Sequence, residues 1–125
     1  MRLDGKVALV TGGARGVGFA VATALARQGA VIAIADIDAQ GANAAAAALR
    51  ETGDRAHGFV VDVRDARSVP TLLKDIAAQL GRVDIVINSV SGSGVARELI
   101  CMAESCRVQG RTLDVDGADL VEENQ

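Results

Sequence analysis

Three glycines and the segment that follows them stand where they could bind a phosphorylated ligand. Gly12, Gly16 and Gly18 lie in the stretch TGGARGVG, between an apolar run and an alanine-rich segment. Between a strand and a helix, such glycines permit a tight turn, a close approach of backbone to ligand, and close packing of helix on strand. The helix N-terminus adds unpaired N–H groups and the positive end of its dipole. The loop therefore predicts a pyrophosphate site, with a simple tight turn as the alternative.

A single carboxylate extends this prediction to a dinucleotide. Asp36 ends the second apolar run, at the distance beyond the loop where a carboxylate accepts hydrogen bonds from the hydroxyls of an adenosine ribose. The same carboxylate would repel a 2′-phosphate, so NAD(H) is favoured over NADP(H). Arg15, inside the loop, could partly offset that repulsion.

Apolar runs alternate with helical patterns along the first two thirds of the chain. Strands are predicted at residues 6–10, 30–36, 57–63 and 83–88. Helices are predicted at residues 19–27, 39–51 and 69–80, with N-caps at Asp38 and Ser68 and C-terminal stops at Gly29, Gly53 and Gly81. Strands that alternate with helices of this length imply parallel pairing through right-handed crossovers. A sheet covered on both faces follows, and its strands should be continuous apolar runs, as these are.

Composition and charge exclude several classes of function. The chain has 125 residues, enough for one domain, and a net charge of -3 with acids and bases interspersed, which disfavours nucleic-acid binding. It contains no apolar run long enough for a membrane span and no secretory signal at its start, so we expect a cytoplasmic protein. No metal site is expected: His57 is the only histidine, and its role is predicted to be structural. Cys101 and Cys106 are predicted to be free thiols.

The motifs together resemble the short-chain dehydrogenase/reductase family, from the first residue to about Asn88. TGGARGVG matches the family's glycine motif, Asp36 its NAD-selecting acid, and GRVDIVIN its fourth strand. Asp62 and Val63 match the pair that contacts adenine. By this resemblance the cofactor is NAD, and the residues that bind it are Gly12, Arg15, Gly16, Val17, Gly18, Asp36, Ile37, Asp62, Val63 and Asn88.

Beyond Asn88 the chain departs from the family pattern. The usual Asn-Asn-Ala-Gly reads NSVS here, and Ser89 is either an ordinary loop hydroxyl or a remnant of the family's fifth strand, where a serine holds the reacting carbonyl oxygen. In this family a tyrosine moves the proton, assisted by a lysine four residues later. These 125 residues contain no tyrosine, and the only lysines, Lys6 and Lys74, do not match that motif.

The C-terminal part resembles the family's closing helix and strand, so the chain looks like a family member with an internal segment missing. The predicted division is a single shortened domain, with a dinucleotide-binding part at residues 1–88, a junction at 89–94, a closing helix and strand at 95–121, and a frayed tail at 122–125. The fold class is α/β, a Rossmann-like doubly wound parallel sheet of about five strands, in the order 3-2-1-4 with the closing strand beside the fourth. In relatives this closing segment forms a subunit interface, which implies a homodimer.

Three functions are compatible with this pattern. The first is an NAD(H)-binding protein that turns over no substrate. The second is an oxidoreductase with residual or altered activity that uses Ser89, Asn88 or a water molecule. The third is a shortened isoform, or an engineered minimal domain, that acts by pairing with a full-length relative.

Overall fold

The computed structural model describes residues 3–62, 65, 67–89, 111–114 and 123–124. In chain order the elements are β1 (Val7–Thr11), α1 (Gly16–Arg27), β2 (Val31–Asp36), α2 (Ala39–Glu51), β3 (Ala56–Val60), α3 (Ser68–Gln79), β4 (Ile85–Asn88), β5 (Arg111–Asp114) and β6 (Glu123–Asn124).

These strands form one sheet in the order β3-β2-β1-β4-β5-β6. All neighbours up to β5 pair in parallel, which confirms the predicted order 3-2-1-4 and the place of the closing strand beside the fourth. Glu123–Asn124 then pairs antiparallel with β5, although residues 122–125 were predicted to fray. The pairing has a physical reason, since it satisfies backbone groups that an edge strand would otherwise leave open.

Each face of the sheet is packed by its own helices. On one face α3 buries Leu72 and Ile76 against strand residues that include Leu9 and Val86. On the other face α1 and α2 bury small side chains, mostly alanine, against strand residues that include Ile32 and Ile87. Because side chains along a strand alternate between the two faces, the continuous apolar runs of the sequence supply both cores.

Several element ends differ from the sequence prediction. α1 begins at Gly16 rather than at Phe19, and β3 ends at Val60, so Asp62 follows the third strand instead of ending it. Asp38 caps α2 as predicted, because its side chain accepts a hydrogen bond from the N–H of Gly41. Gly29, Gly53 and Gly81 follow the three helices with positive φ, also as predicted.

The prediction that Ser68 caps α3 is wrong. Arg67 occupies the N-cap and Ser68 is the first helical residue. The Ser68 hydroxyl donates to the carbonyl oxygens of Asp62 (2.9 Å) and Asp65 (2.7 Å), so it ties the helix start to the preceding turn. Ser68 lies one residue inside the helix, so it does not hold the flanking position from which a cap side chain accepts the N–H of the second or third helical residue.

Part of the predicted organisation lies outside the described residues. This applies to the closing helix at residues 99–105, to Cys101 and Cys106, to the junction beyond Ser89, and to the homodimer contact assigned to the closing segment. In the described ranges, none of the helices combines the length and apolar character that crossing a membrane requires.

Candidate nucleotide site

The carboxyl ends of three parallel strands bring the predicted site residues to one edge of the sheet. Thr11, the last residue of β1, is in register with Asn88 of β4 on one side and with Ala35 of β2 on the other. Asp36, the next residue of β2, is in register with Val60 of β3. The chain leaves β1 and β4 at neighbouring points on this edge, which is where open α/β sheets bind ligands.

The glycine loop follows β1 directly, and its backbone is left-handed at two of its glycines. Gly12 and Gly16 have φ values of 66° and 60°, in the left-handed region that favours glycine. A Cβ atom added at Gly18 would overlap the carbonyl oxygen of Gly12 and lie 2.5 Å from Ser89 Oγ. At Gly18, therefore, α1 packs closely against the chain that leaves β1.

The start of α1 fits an anionic group. Its N-cap is Arg15, whose backbone is extended and whose side chain makes no capping hydrogen bond, and the first turn carries no acidic residue. A Cβ added at Gly16 would meet no atom within 4 Å, so the backbone there faces open space. Val17 is exposed in the same turn. Uncapped N–H groups, the helix dipole and open access together suit the pyrophosphate of a dinucleotide.

Asp36 is held against the glycine loop by backbone hydrogen bonds. Its Oδ2 accepts from the N–H of Ala14 at 3.2 Å and its Oδ1 from the N–H of Asp38 at 3.1 Å. A carboxylate has about four lone-pair sites, so acceptor capacity remains for the hydroxyls of a ribose. Ile37 lies next to it and is largely exposed, an apolar surface beside the fixed acid.

Arg15 pairs with an acid that sequence reasoning had placed only as a helix cap. Arg15 Nη2 donates to Asp38 Oδ2 at 2.7 Å, while Asp38 Oδ1 accepts the N–H of Gly41 at 3.0 Å. Arg15 therefore lies at the same edge of the sheet as Asp36, but its positive charge is paired with the carboxylate of Asp38. The spacing of Arg15 and Asp38 in the sequence, with β2 between them, carries no signal for this contact.

A buried polar cluster lies under the loop at the ends of β1 and β4. Thr11 Oγ1 donates to Asn88 Oδ1 at 2.5 Å, and both residues are fully buried. Ser89 Oγ donates to the carbonyl oxygens of Thr11 (2.5 Å) and Gly12 (3.2 Å). Among the described residues, nothing accepts from Asn88 Nδ2. Thr11 was not predicted as a site residue, because it reads in the sequence as the last residue of a strand.

The remaining predicted residues divide between the site and the rest of the sheet. Asp62 follows β3 at the same edge, where its carbonyl oxygen accepts the N–H of Asp65 at 2.9 Å, and Val63 lies outside the described residues. His57 is exposed in β3 and packs against the ring of Phe59, with centroids 5.4 Å apart. Its register partner is Ala33, three positions before Asp36, so His57 lies away from the edge that carries the loop.

No metal centre accompanies this site in the part of the chain that the structure describes. There, no group of three or more His, Cys, Asp or Glu side chains is arranged to hold a metal ion. Around the glycine loop, the described residues offer backbone N–H groups, the carboxylates of Asp36 and Asp38, and the guanidinium of Arg15.

Comparison with known proteins identifies the family. The sequence model of the protein family described as short chain dehydrogenase matches residues 6–107 of this chain. The chain belongs to the short-chain dehydrogenase family. A D-threitol dehydrogenase from Mycolicibacterium smegmatis is 56% identical to this family member over 98 residues, which are 77% of this chain and 36% of the relative. The chain thus spans about a third of the length of the curated relatives it matches.

Solved structures of other proteins resemble the fold of this chain. A 2-keto-3-deoxy-D-gluconate dehydrogenase from Streptococcus agalactiae superposes with a TM-score of 0.81 at 26% identity, over 90% of this chain and 52% of that one. A proposed D-mannonate oxidoreductase from Haemophilus influenza, solved with bound NAD, gives 0.70 at 25% identity over 74% and 33% of the two chains. Both confirm the parallel sheet of a Rossmann-like family member.

Proposed function

We propose that this chain binds NAD(H), mainly through the adenosine diphosphate half of the cofactor, and does not by itself turn over a substrate by the Tyr-x-x-x-Lys route. The observation that carries the proposal is the hydrogen bond between the two predicted parts of the site, the glycine loop and the acid at the end of β2. Asp36 Oδ2 accepts the N–H of Ala14, which lies inside the glycine loop. This hydrogen bond holds the carboxylate that would bind the ribose next to the helix start that would bind the pyrophosphate.

The residues of this edge have separate tasks in binding. The N–H groups at the start of α1 would hold the pyrophosphate, and the positive φ of Gly16 keeps its backbone open to that group. Asp36 would orient the adenosine ribose through its free lone pairs. Ile37 and Val17, both exposed, offer apolar contact beside them. When bound, the nicotinamide ring of NAD supplies hydride chemistry to a partner substrate.

The charge of Asp36 supports NAD over NADP. Its carboxylate is half-buried and fixed by two N–H donors, so it cannot easily turn away from a second anion. A 2′-phosphate placed on the ribose would bring a charge of about -1.5 to -2 towards it. Repulsion between these two negative charges disfavours the complex with NADP, and it is greatest at low ionic strength.

The distribution of proton-transfer groups supports a lack of turnover. The 125 residues contain no tyrosine, and losing general acid–base assistance typically costs about 10² to 10⁴ in rate. Lys6 precedes β1 at the opposite edge of the sheet, and Lys74 is exposed on α3. Ser89 already donates its hydroxyl proton to backbone carbonyl oxygens of the loop. These arrangements support a structural role for Ser89 in this chain.

Calorimetry with three ligands tests the proposal. NAD+ and ADP-ribose should bind with dissociation constants within about threefold of each other, because the adenosine diphosphate half provides most of the contacts. NMN should bind at least about a hundredfold more weakly. Binding of NMN as tight as that of NAD+ would show a nicotinamide pocket that the proposal does not include, and failure of both NAD+ and ADP-ribose to bind at millimolar concentration would overturn it.

A further inference from the structure

We propose that Asp38 is a selectivity-determining residue that holds and neutralises Arg15, so that a 2′-phosphate meets paired charges instead of a free guanidinium. Asp38 would act on the cofactor through Arg15, which makes it a positioning residue. Because this role requires the nucleotide site, the inference rests on the proposed function above and deepens it.

The contact between the two side chains is short and accessible to solvent. Arg15 Nη2 lies 2.7 Å from Asp38 Oδ2, and the side chains are 75% and 39% exposed. An exposed pair of this kind contributes little to folding stability. Its importance is therefore not stability but the place where it holds the arginine, at the cap of α1 and beside Asp36.

Asp38 is the rigid partner of this pair. Its Oδ1 accepts the N–H of Gly41 at 3.0 Å, and its own backbone N–H donates to Asp36 Oδ1 at 3.1 Å. A Cβ added at Gly41 would lie 2.5 Å from Asp38 Oδ2 and 3.2 Å from the Cβ of Ala14, so the start of α2 packs closely against both Asp38 and the glycine loop. The arginine side chain is long and exposed, so the fixed acid determines where the guanidinium rests.

The charges then decide which nucleotide the edge accepts. Asp36, Asp38 and Arg15 together carry a formal charge of -1 when all three are ionised. Removing the charge of Asp38 would bring the sum to zero and release a guanidinium, whose planar donors suit a phosphate. A ligand without a 2′-phosphate gains little from that release. The ratio of the two affinities is therefore the quantity that Asp38 controls.

The test measures dissociation constants for NAD+ and NADP+ by calorimetry in the full chain and in five variants. Asp38→Asn and Asp38→Ser remove the charge and retain residues that cap helices well. In both we expect the ratio of the NADP+ to the NAD+ dissociation constant to fall about tenfold, the effect of one charge-assisted hydrogen bond gained by the phosphate. The double variant Asp38→Asn/Arg15→Ala should lose this gain, because the change acts through Arg15.

Two further variants separate this role from general effects. Arg15→Ala should raise the ratio of the NADP+ to the NAD+ dissociation constant about threefold, because Asp38 is then left unpaired near the ribose and repels the 2′-phosphate. Asp75→Asn changes the net charge equally on α3, on the opposite face of the sheet, and should leave the ratio unchanged. At higher salt the gain in Asp38→Asn should shrink, as an electrostatic effect does.

The outcomes are distinct. A purely structural role for Asp38 would weaken both nucleotides in parallel and leave the ratio as in the original chain, which would overturn the inference while the proposed function stands. An equal shift in Asp75→Asn, or a full gain in the double variant, would also overturn it. If the original chain bound neither nucleotide, the proposed function and this inference would fall together.

Discussion

The carboxylate of Asp36 accepts a hydrogen bond from the backbone N–H of Ala14, 3.2 Å away, and so joins the end of β2 to the loop that follows β1. A second N–H, that of Asp38, donates to the other carboxylate oxygen at 3.1 Å. The acid is thus part of the support of the glycine loop as well as a candidate ribose ligand. Changes at this residue should therefore affect loop order and nucleotide binding together.

Replacing Asp36 with asparagine tests this double role. An amide offers one acceptor oxygen, so one of the two backbone N–H groups must lose its partner or face an NH2 group. We expect the free energy of unfolding to fall by about 1 kcal/mol in urea denaturation, and NAD+ affinity to fall at least about tenfold in calorimetry. Asp75→Asn, at an exposed position of α3, serves as the matched control and should change neither quantity. Unaltered NAD+ affinity in Asp36→Asn would argue against a ribose contact.

Gly16 and Gly5 form a matched pair for testing the approach of ligand to the loop. Their φ values are 60° and 78°, and an added Cβ would meet nothing within 4 Å at either position. Alanine at each should cost about 1 to 2 kcal/mol of stability, because both backbones are left-handed. Only Gly16→Ala should also weaken ADP-ribose binding, measured by calorimetry, since its new methyl group would stand where the pyrophosphate is expected. Equal binding by the two variants would place the phosphates elsewhere.

Gly18→Ala is expected to destabilise the fold through overlap rather than strain. The added Cβ would overlap the carbonyl oxygen of Gly12, a backbone atom that cannot rotate aside, and would lie 2.5 Å from Ser89 Oγ. Overpacking of this kind typically costs about 1 to 3 kcal/mol, and urea denaturation should show a loss at the upper end of that range. Gly53→Ala is the comparison, since its added Cβ has open space and only the positive φ opposes it. A smaller loss at Gly18 than at Gly53 would contradict the packing seen here.

The buried pair of Thr11 and Asn88 should be sensitive to loss of a single hydroxyl. Thr11→Val preserves volume but removes the donor that lies 2.5 Å from Asn88 Oδ1, leaving a fully buried acceptor without that bond. We expect unfolding free energy to fall by about 1 to 3 kcal/mol. Thr11→Ser restores the hydroxyl, so it should recover part of the loss, less the cost of one missing methyl group. Thermal or urea unfolding of the two variants and the original chain provides the measurement. If Thr11→Val were as stable as the original chain, the hydrogen bond would contribute nothing to stability.

Ser89→Ala separates structural from catalytic use of that hydroxyl. Because Ser89 Oγ donates to backbone oxygens of Thr11 and Gly12, its removal should lower unfolding free energy by about 1 kcal/mol. Oxidation of NADH in the presence of a panel of ketones should equal the rate without protein, for the original chain and the variant alike. Ketone reduction above that rate, abolished in Ser89→Ala, would instead assign the hydroxyl to proton transfer.

Much of the fold follows from local pattern. Apolar runs long enough for buried strands, separated by helices that end at glycines, lead to parallel pairing and to the order 3-2-1-4. The glycine motif also predicted the close packing of α1 on β1 at Gly18, whereas the left-handed backbone of Gly12 and Gly16 is known only from the structure. The exact ends of the helices and strands were harder to predict from the sequence. The sequence predicts Ser68 as a helix cap, but the preceding turn places Arg67 at the cap and makes Ser68 the first helical residue.

What the sequence by itself determined is the set of groups at the carboxyl edge: a glycine loop, an acid after β2, and a chain of 125 residues without a tyrosine. What only the tertiary structure decided is how those groups are paired. Arg15 meets Asp38, Thr11 meets Asn88, and Ser89 bonds to the loop, each across at least one intervening element. Sequence periodicity reports which face a side chain occupies. Pairing between side chains from different elements depends on strand register and on where each loop turns, and these arise only when the whole sheet assembles.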